Sequence, residues 1–459
     1  MLQKNQIIEG VIEALSHEGA GIARHEGMAV FVPTTAVGDR LRIKVVKVLA
    51  SRAYGIVHQL VARSPHRVEN DCPAFPRCGG CALRHISYEA EAAQKGDWLR
   101  ENLARIGGVS PELEPPMPSP ASARYRNKAQ FPVREAGGEI RVGFFAGRSH
   151  ALIPVEDCLL QPAFFADICA AVIRYMEQCG VRAYDEASHR GAVRHIYLRH
   201  AAQTGQVMVC LAVNADSLPQ TDMLLKELCH ACPAVATVAT VVLSHNRKQT
   251  NVILGDRLTV LSGAGKIEDV LCGVRVRISP LSFYQVNRDA AELLYREALR
   301  YAAPDRDDLL LDLYCGAGTI GLSMAHAVKR VVGVETVPQA VDDARRAALE
   351  NDIGNTRFLR GDAARAADEL RKEGLRPDIV VLDPPRKGAD PALLRTMADM
   401  APRKIVYISC NSATLSRDAK QLLELGYAPV RARAVDLFPR TAHAEAVMLL
   451  ERRSVVSKK

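Results

Sequence analysis

Residues 309–325 read LLLDLYCGAGTIGLSMA. An uninterrupted apolar run, a glycine-punctuated turn and a helical pattern follow one another directly. An apolar run with no alternation marks a strand buried on both faces, and such strands belong to parallel sheets. Gly316 and Gly318 let the backbone turn tightly and approach a ligand. Outward from this stretch the pattern repeats. RVVGVET (330–336) is a second buried strand ending at Glu335, TRFLRGDA (356–363) a third ending at Asp362, and PDIVVLDPPRKG (377–388) a fourth ending at Asp383. The strand–helix alternation from residue 280 onward predicts an α/β, Rossmann-like domain over 280–459, with its ligand at the carboxyl ends of the strands. VRARAVDLFP and AEAVMLLER near the end read as a closing antiparallel pair.

A glycine turn alone says little about the ligand. Glu335, 23 residues beyond Asp312, suits a pair of ribose hydroxyls. Acids line the remaining strand ends. They would repel a pyrophosphate but suit an adenosine and a positively charged sulfonium. S-adenosylmethionine therefore fits better than a nicotinamide dinucleotide.

A fifth strand, KIVYIS, runs into SCNSATLSRD (409–418), which places Cys410 at a strand end before a helix. A free cysteine there is most often a small buried hydrophobe. Beside a methyl donor it has another use. A thiolate adding to carbon 6 of a pyrimidine makes carbon 5 nucleophilic, and a base must then remove the carbon 5 proton. Glu445, in the connection RTAHAE, is placed to be that base; as a solitary loop carboxylate it would otherwise be solvated surface.

The rest of the chain points to several domains, as its 459 residues require. Composition is that of a globular protein, 48% hydrophobic and 24% charged, with a net charge of +8 that suits a nucleic-acid partner without requiring one. The start, MLQKNQIIEGVIEAL, carries charge too early for an apolar signal core, and no 18-residue apolar window occurs, so neither export nor a membrane span is expected. The twelve cysteines then read as reduced cytoplasmic thiols, some of them ligands. Residues 1–62 alternate in short runs broken by glycine, the pattern of a small β-barrel, with Arg40, Arg42, Lys44, Lys47 and Arg52 on one face. YEAEAAQKGDWLRENLARI (88–106) is a helix ended by Gly107–Gly108, followed by a proline-rich linker; 88–119 is expected to pack on the catalytic domain. Residues 63–87 with 120–265 form a β-rich α+β central domain, with strands that include KAQFPVRE, HIYLRHA, QVMVCLAVN, TVVLSHN and TNVILG. Six basic residues, Arg124, Arg126, Lys128, Arg134, Arg141 and Arg148, against Glu135 and Glu139, make a candidate phosphate-contacting patch over 124–148. CPAFPRCGGC contributes Cys72, Cys78 and Cys81, a spacing open to zinc with a distant fourth ligand or to another centre.

Four motifs in order, DLYCGAGTIG, VLDPPRKG, SCNSATLSRD and FPRTAHAEAV, resemble those of the RNA uridine-5-methyltransferases. The resemblance extends to YRNKAQFPV and to residues 5–62, which look like a TRAM domain, an RNA-binding barrel. It implies Cys410 as nucleophile, Glu445 as base, and Gln285, Tyr314, Gly316, Gly318, Thr319, Glu335, Asp362 and Asp383 as the S-adenosylmethionine site. Phe283, Arg126, Lys128 and Arg386 would meet the RNA, Phe283 by stacking on a flipped base. The ribosomal branch of the family implies a 4Fe–4S cluster on Cys72, Cys78, Cys81 and Cys158. A TRAM domain and cluster cysteines together favour 23S (large-subunit) ribosomal RNA over transfer RNA. The expected partner is RNA and not DNA or a membrane, and the default state is a monomer. The cysteines lie far in sequence from the catalytic motifs, so the expected role of the cluster is to support the RNA-binding domain. Methylation of transfer RNA, formation of 5-methylcytidine, and a non-catalytic iron–sulfur RNA-binding module are the alternatives. The second is disfavoured because Asp383–Arg386 lacks the extra cysteine usual in cytosine-5 enzymes.

Overall fold

The computed structural model describes residues 2–234 and 236–453. Residues 1, 235 and 454–459, which include the outer ends of the expected first and last domains, lie outside the described residues.

Among the described residues the C-terminal part is an eight-stranded sheet. Its order is Thr356–Arg360, Arg330–Glu335, Leu309–Leu313, Ile379–Leu382, Lys404–Ser409, Glu445–Arg452, Tyr427–Val435 and Glu112–Leu113. The first five strands are mutually parallel, and Glu445–Arg452 runs antiparallel to both its neighbours. Parallel pairing brings every carboxyl end of the first five to one edge. The strands are apolar on both faces because helices cover both, with Leu310 and Val331 in one buried cluster and Leu311 and Val332 in the other.

The sheet's last strand comes from the proline-rich linker. Glu112–Leu113 pairs parallel with Arg431 and Ala432, and Met117 bridges to Val435. The linker is therefore pinned along the catalytic sheet. Ahead of it, helix Tyr88–Asn102 packs on the same unit, and Asn102 donates to Ser412 Oγ at 2.8 Å.

The N-terminal six-stranded sheet curls on itself, since Ile8 on its first-ordered strand and Ala23 near its other edge share one core cluster. Arg40, Arg42 and Lys44 alternate with buried Leu41, Ile43 and Val45 and point outward together. Trp98 of the linker helix donates to Leu15 O at 2.9 Å and seats this sheet on the rest of the chain.

The central seven-stranded sheet is antiparallel except where Gln206–Val213 meets Thr237–His245. Helix Thr221–Cys229 connects those two strands, and a helical crossover is what a parallel pair needs. Two sequence expectations fail here. TNVILG is not a strand: Asn246 Nδ2 donates to Val252 O and Ile253 O, which folds the segment back as a loop. Arg257–Ser262 supplies the edge strand instead. A hairpin of Ile267–Leu271 and Val274–Ile278, which fell between the expected domains, joins Ala201 and Met208 of the central sheet to the core under Leu310.

Candidate active site

The glycine turn after Leu309–Leu313 is built as its residue types require. Gly318, at φ +76°, caps helix Thr319–Met324, and a β-carbon there would lie 2.9 Å from the Phe358 ring. Gly316, at φ +55°, would meet nothing within 4 Å, so space is open above the turn. Glu335 folds back over it: Oε2 accepts from Gly316 N at 3.1 Å and Oε1 from Val337 N at 2.8 Å. Gln285, Tyr314, Gly316, Thr319 and Asp383 line one crevice together with Phe283. Asp362 is exposed, and its Oδ1 caps helix Ala363–Lys372 through Ala364 N and Arg365 N.

Asp383 on the crevice wall and Asp312 buried beneath it are both raised carboxyls. Burial pushes Asp383 up to about 7. Burial also takes Asp312 to about 7, opposed by the Gly321 N–H and reinforced by Asp383 and Glu335. Asp312 Oδ1 is buried without a hydrogen-bond partner. Carboxyls raised in this way welcome a cation, which would restore their charged forms. Asp383 on the crevice wall, the open space over Gly316 and the Glu335 carboxylate folded onto the turn fit an adenosyl sulfonium.

Cys410 and Glu445 come together through strand register. Ser409, the last residue of its strand, pairs with Ala446, so Cys410 and Glu445 are the next residues outward on neighbouring strands, and the Glu445 carboxylate acts on the Cys410 thiol. Burial pushes the Cys410 thiol up to about 11, the Glu445 and Asp383 carboxylates add to this, and Arg386 works against it. Burial and then Asp383 push Glu445 up to about 8, again against Arg386. Asn411 caps the following helix through Ala413 N and donates to Arg386 O at 3.1 Å, which ties the cysteine turn to the DPPR turn. The helix Ser412–Glu424 opens just after Cys410, and its positive end favours a thiolate.

Phe283 is 74% exposed, on a turn held by Ser279–Ser282 hydrogen bonds and by Arg199, which donates to Ser282 O. The basic patch over 124–148 is corrected by its surroundings. Arg124 pairs with Asp157 at 2.5 Å, Arg134 with Glu186, Arg141 with Glu139 at 2.7 Å and Arg148 with Glu18 at 3.0 Å. Arg126 and Lys128 remain without a carboxylate among the described residues. Arg126 Nε is buried and unpartnered, and burial, then Arg199 and Arg126, lower Lys128 to about 8. Arg199 is the cross-strand partner of Lys128.

Cys72, Cys78, Cys81 and Cys158 share one neighbourhood. Burial raises Cys81 to about 12, with Cys158 and Cys78 adding to the rise; burial likewise raises Cys158, with Cys78 and Cys72 adding. Among the described residues no group of three or more His, Cys, Asp or Glu is arranged to hold a metal ion. Arg84, 4% exposed and paired with Asp71, is the cation nearest Cys81. Distance in sequence from the catalytic motifs is not distance in space here. Ala82 N and Leu83 N, directly after Cys81, donate to Arg440 O at 2.9 and 3.1 Å, five residues from Glu445.

Sequence reasoning missed Tyr295 as a crevice residue and Arg199 as the side chain that holds the Phe283 turn. Tyr295 is on helix Arg288–Ala302 and borders Asp383, Thr319 and Gln285. The VRVRI alternation could have revealed the hairpin whose Leu271, Val276 and Ile278 wall the crevice.

No helix among the described residues is long and apolar enough to cross a membrane. A family profile described as tRNA (Uracil-5-)-methyltransferase matches residues 272–453, and a TRAM domain profile matches residues 2–57. The chain is 41% identical over 451 residues to a protein of Halalkalibacterium halodurans described as an uncharacterized RNA methyltransferase, covering 98% of each chain. A Clostridium tetani protein described in the same words is 37% identical, covering 98% of this chain and 97% of its own. Among solved structures, the Pyrococcus abyssi tRNA (uracil-54, C5)-methyltransferase in complex with S-adenosyl-L-homocysteine superposes with a TM-score of 0.76 at 26% identity, covering 96% of this chain and 100% of that one.

Proposed function

This chain belongs to the RNA (uracil-5-)-methyltransferase family and carries its TRAM domain, and from that premise we propose that it methylates carbon 5 of a uridine in RNA through a Cys410 adduct and a Glu445 base. It is an S-adenosylmethionine-dependent RNA methyltransferase. The observation that supports this mechanism is the pairing of Ser409 with Ala446, next to Cys410 and Glu445, with Asp383 of the crevice acting on both side chains.

Glu335, Asp383, Gln285, Tyr314, Thr319 and the Gly316–Gly318 turn would hold S-adenosylmethionine, with Asp362 at the outer edge. When bound, it supplies an electrophilic methyl group on a cationic sulfur. The Cys410 thiol gives up its proton to solvent, and Sγ then adds to carbon 6 of uracil, moving the 5,6 electron pair onto carbon 5 and the carbonyl oxygen. Carbon 5 gains the methyl group. Glu445 then takes the carbon 5 proton, the 5,6 double bond reforms, and the Cys410 thiolate leaves. Glu445 enters this step as the carboxylate, and the proton affinity that burial and Asp383 give it makes it a strong acceptor once its own proton has left. Burial and the neighbouring carboxylates disfavour the Cys410 thiolate, and Arg386 is the side chain that opposes them.

In this reading catalysis belongs to 280–459, RNA binding to 1–62 and to the central unit of 63–87 with 120–265, and 88–119 joins them. Phe283 stacks on the flipped base; Arg126, Lys128 and Arg386 meet phosphates. Cys72, Cys78, Cys81 and Cys158 hold a 4Fe–4S cluster, supported by the shared neighbourhood of their thiols and by Arg84 beside it. The favoured substrate is large-subunit ribosomal RNA, on the strength of the TRAM domain and these cysteines. Transfer RNA is the second reading, favoured by the Pyrococcus abyssi structure that spans 96% of this chain.

The test is methyl transfer from labelled S-adenosylmethionine to bulk RNA of cells lacking this protein, with nucleoside analysis. Labelled 5-methyluridine in 23S RNA supports the whole reading, and label in transfer RNA keeps the chemistry and replaces the substrate. Label as 5-methylcytidine, or none, overturns it.

A further inference from the structure

The connection Asp436–Ala444, which delivers Glu445, is fastened by a buried charged node that the chemistry above does not use. Lys95 is 2% exposed on helix Tyr88–Asn102. Its Nζ is 2.7 Å from Glu91 Oε1, 2.7 Å from Asp436 Oδ1 and 3.2 Å from Phe438 O, which uses all three of its donors. Glu91 Oε1 also accepts from Arg440 N at 2.6 Å, and Asp436 Oδ1 from Phe438 N at 3.0 Å. Thus one ammonium and two carboxylates grip the backbone of the connection at Phe438 and Arg440. Arg440 holds a left-handed backbone, φ +69°, and donates from Nη1 to Ile86 O at 3.1 Å.

Such a node is costly. Glu91 Oε2 and Asp436 Oδ2 are buried with no hydrogen-bond partner. A buried ion network of this kind is weak evidence of stability, since apolar residues of the same volume often do as well; its best-attested use is to select one arrangement. The arrangement selected here is the approach of one short loop to Cys410.

We propose that Lys95, Glu91 and Asp436 are positioning residues for the methyl transfer: sheet pairing with Val435 holds the Glu445 backbone, and the node locks the connection Asp436–Ala444 that leads into it, so that the Glu445 side chain keeps its approach to Cys410. The proposal rests on the assignment of Glu445 as the base. Its distinguishing consequence lies in the second half of the reaction. An enzyme that forms the adduct but cannot remove the carbon 5 proton accumulates methylated RNA bound covalently to protein.

Lys95→Met, Asp436→Asn and Glu445→Gln are compared with the unsubstituted protein on uridine RNA with methyl-labelled S-adenosylmethionine, below all unfolding midpoints. Lys95→Met leaves Asp436 without its cation and Glu91 with only Arg440, 3.7 Å away, and can fail to fold. Asp436→Asn keeps the shape and the Lys95–Glu91 pair, and so keeps the test open. The expected result for both is kcat lower by about 10- to 100-fold, the effect of misplacing a catalytic group by about 1 Å. KM for S-adenosylmethionine should stay within about threefold, and labelled RNA–protein adduct should survive denaturing electrophoresis. Loss of thermal stability with unchanged kcat, or loss of kcat without adduct, overturns the proposal. If Glu445→Gln itself accumulates no adduct, the base assignment fails and the proposal falls with it. If Glu445→Gln accumulates adduct and both node variants do not, the proposal alone fails.

Discussion

Glu445→Gln should alter stability as well as activity, and with a defined pH dependence. The Glu445 carboxyl is 5% exposed and held at about 8 against an ordinary 4.5. A raised carboxyl keeps its proton in the folded protein while the unfolded chain has lost it. The cost to folding is therefore nil below pH 4.5, grows as pH rises between 4.5 and 8, and is complete above 8. At about 1.4 kcal/mol per pH unit the full interval gives a ceiling of about 5 kcal/mol, of which about 4 falls between pH 5 and 8. Asp383 shares this charge environment, so a realised change of about 2–4 kcal/mol is expected. Glutamine has no proton to lose. Urea melts of the ligand-free proteins at pH 5, 6, 7 and 8 should show the variant gaining on the parent as pH rises, while Asp312, common to both, cancels. Parallel stability curves would mean that burial and Asp383 do not raise the Glu445 carboxyl, and the account of its surroundings would be wrong.

Cys410→Ser should lower methyl transfer by about a thousandfold or more while S-adenosylmethionine binding, followed by calorimetry, changes little. Gly318→Ala puts a β-carbon 2.9 Å from the Phe358 ring at φ +76°; a stability loss of about 1–3 kcal/mol and weaker cofactor binding are expected from thermal melts with and without ligand. Cys158→Ser, purified anaerobically, should lose the iron and sulfide that the parent carries; an iron-free parent would remove the cluster from the account.

Much of this architecture could be read in the residues themselves. The apolar strands ending in Glu335, Asp383 and Cys410 need only a parallel sheet to share one edge, and parallel pairing follows from strand–helix alternation. What escaped the reading depended on partners distant in sequence. Glu112–Leu113 is two residues long and becomes a strand only because Arg431 and Ala432 offer an edge. The basic stretch 124–148 looked like a patch until Asp157, Glu186 and Glu18 arrived from elsewhere to neutralise most of it. Tyr295 sits in a helix far in sequence from the glycine turn and reaches the crevice only through the packing that brings it beside Asp383, Thr319 and Gln285. The TNVILG segment has strand composition, but the Asn246 side chain claims its carbonyls first.

The central claim is covalent catalysis by one of twelve cysteines. It is tested most directly by reacting the protein with S-adenosylmethionine and RNA carrying 5-fluorouridine, whose fluorine cannot be removed as a proton, and mapping the trapped peptide by mass spectrometry. The account predicts a methylated nucleotide on Cys410. An adduct on Cys315 or any other residue, or methyl transfer to uridine RNA with no trapped adduct, would contradict it.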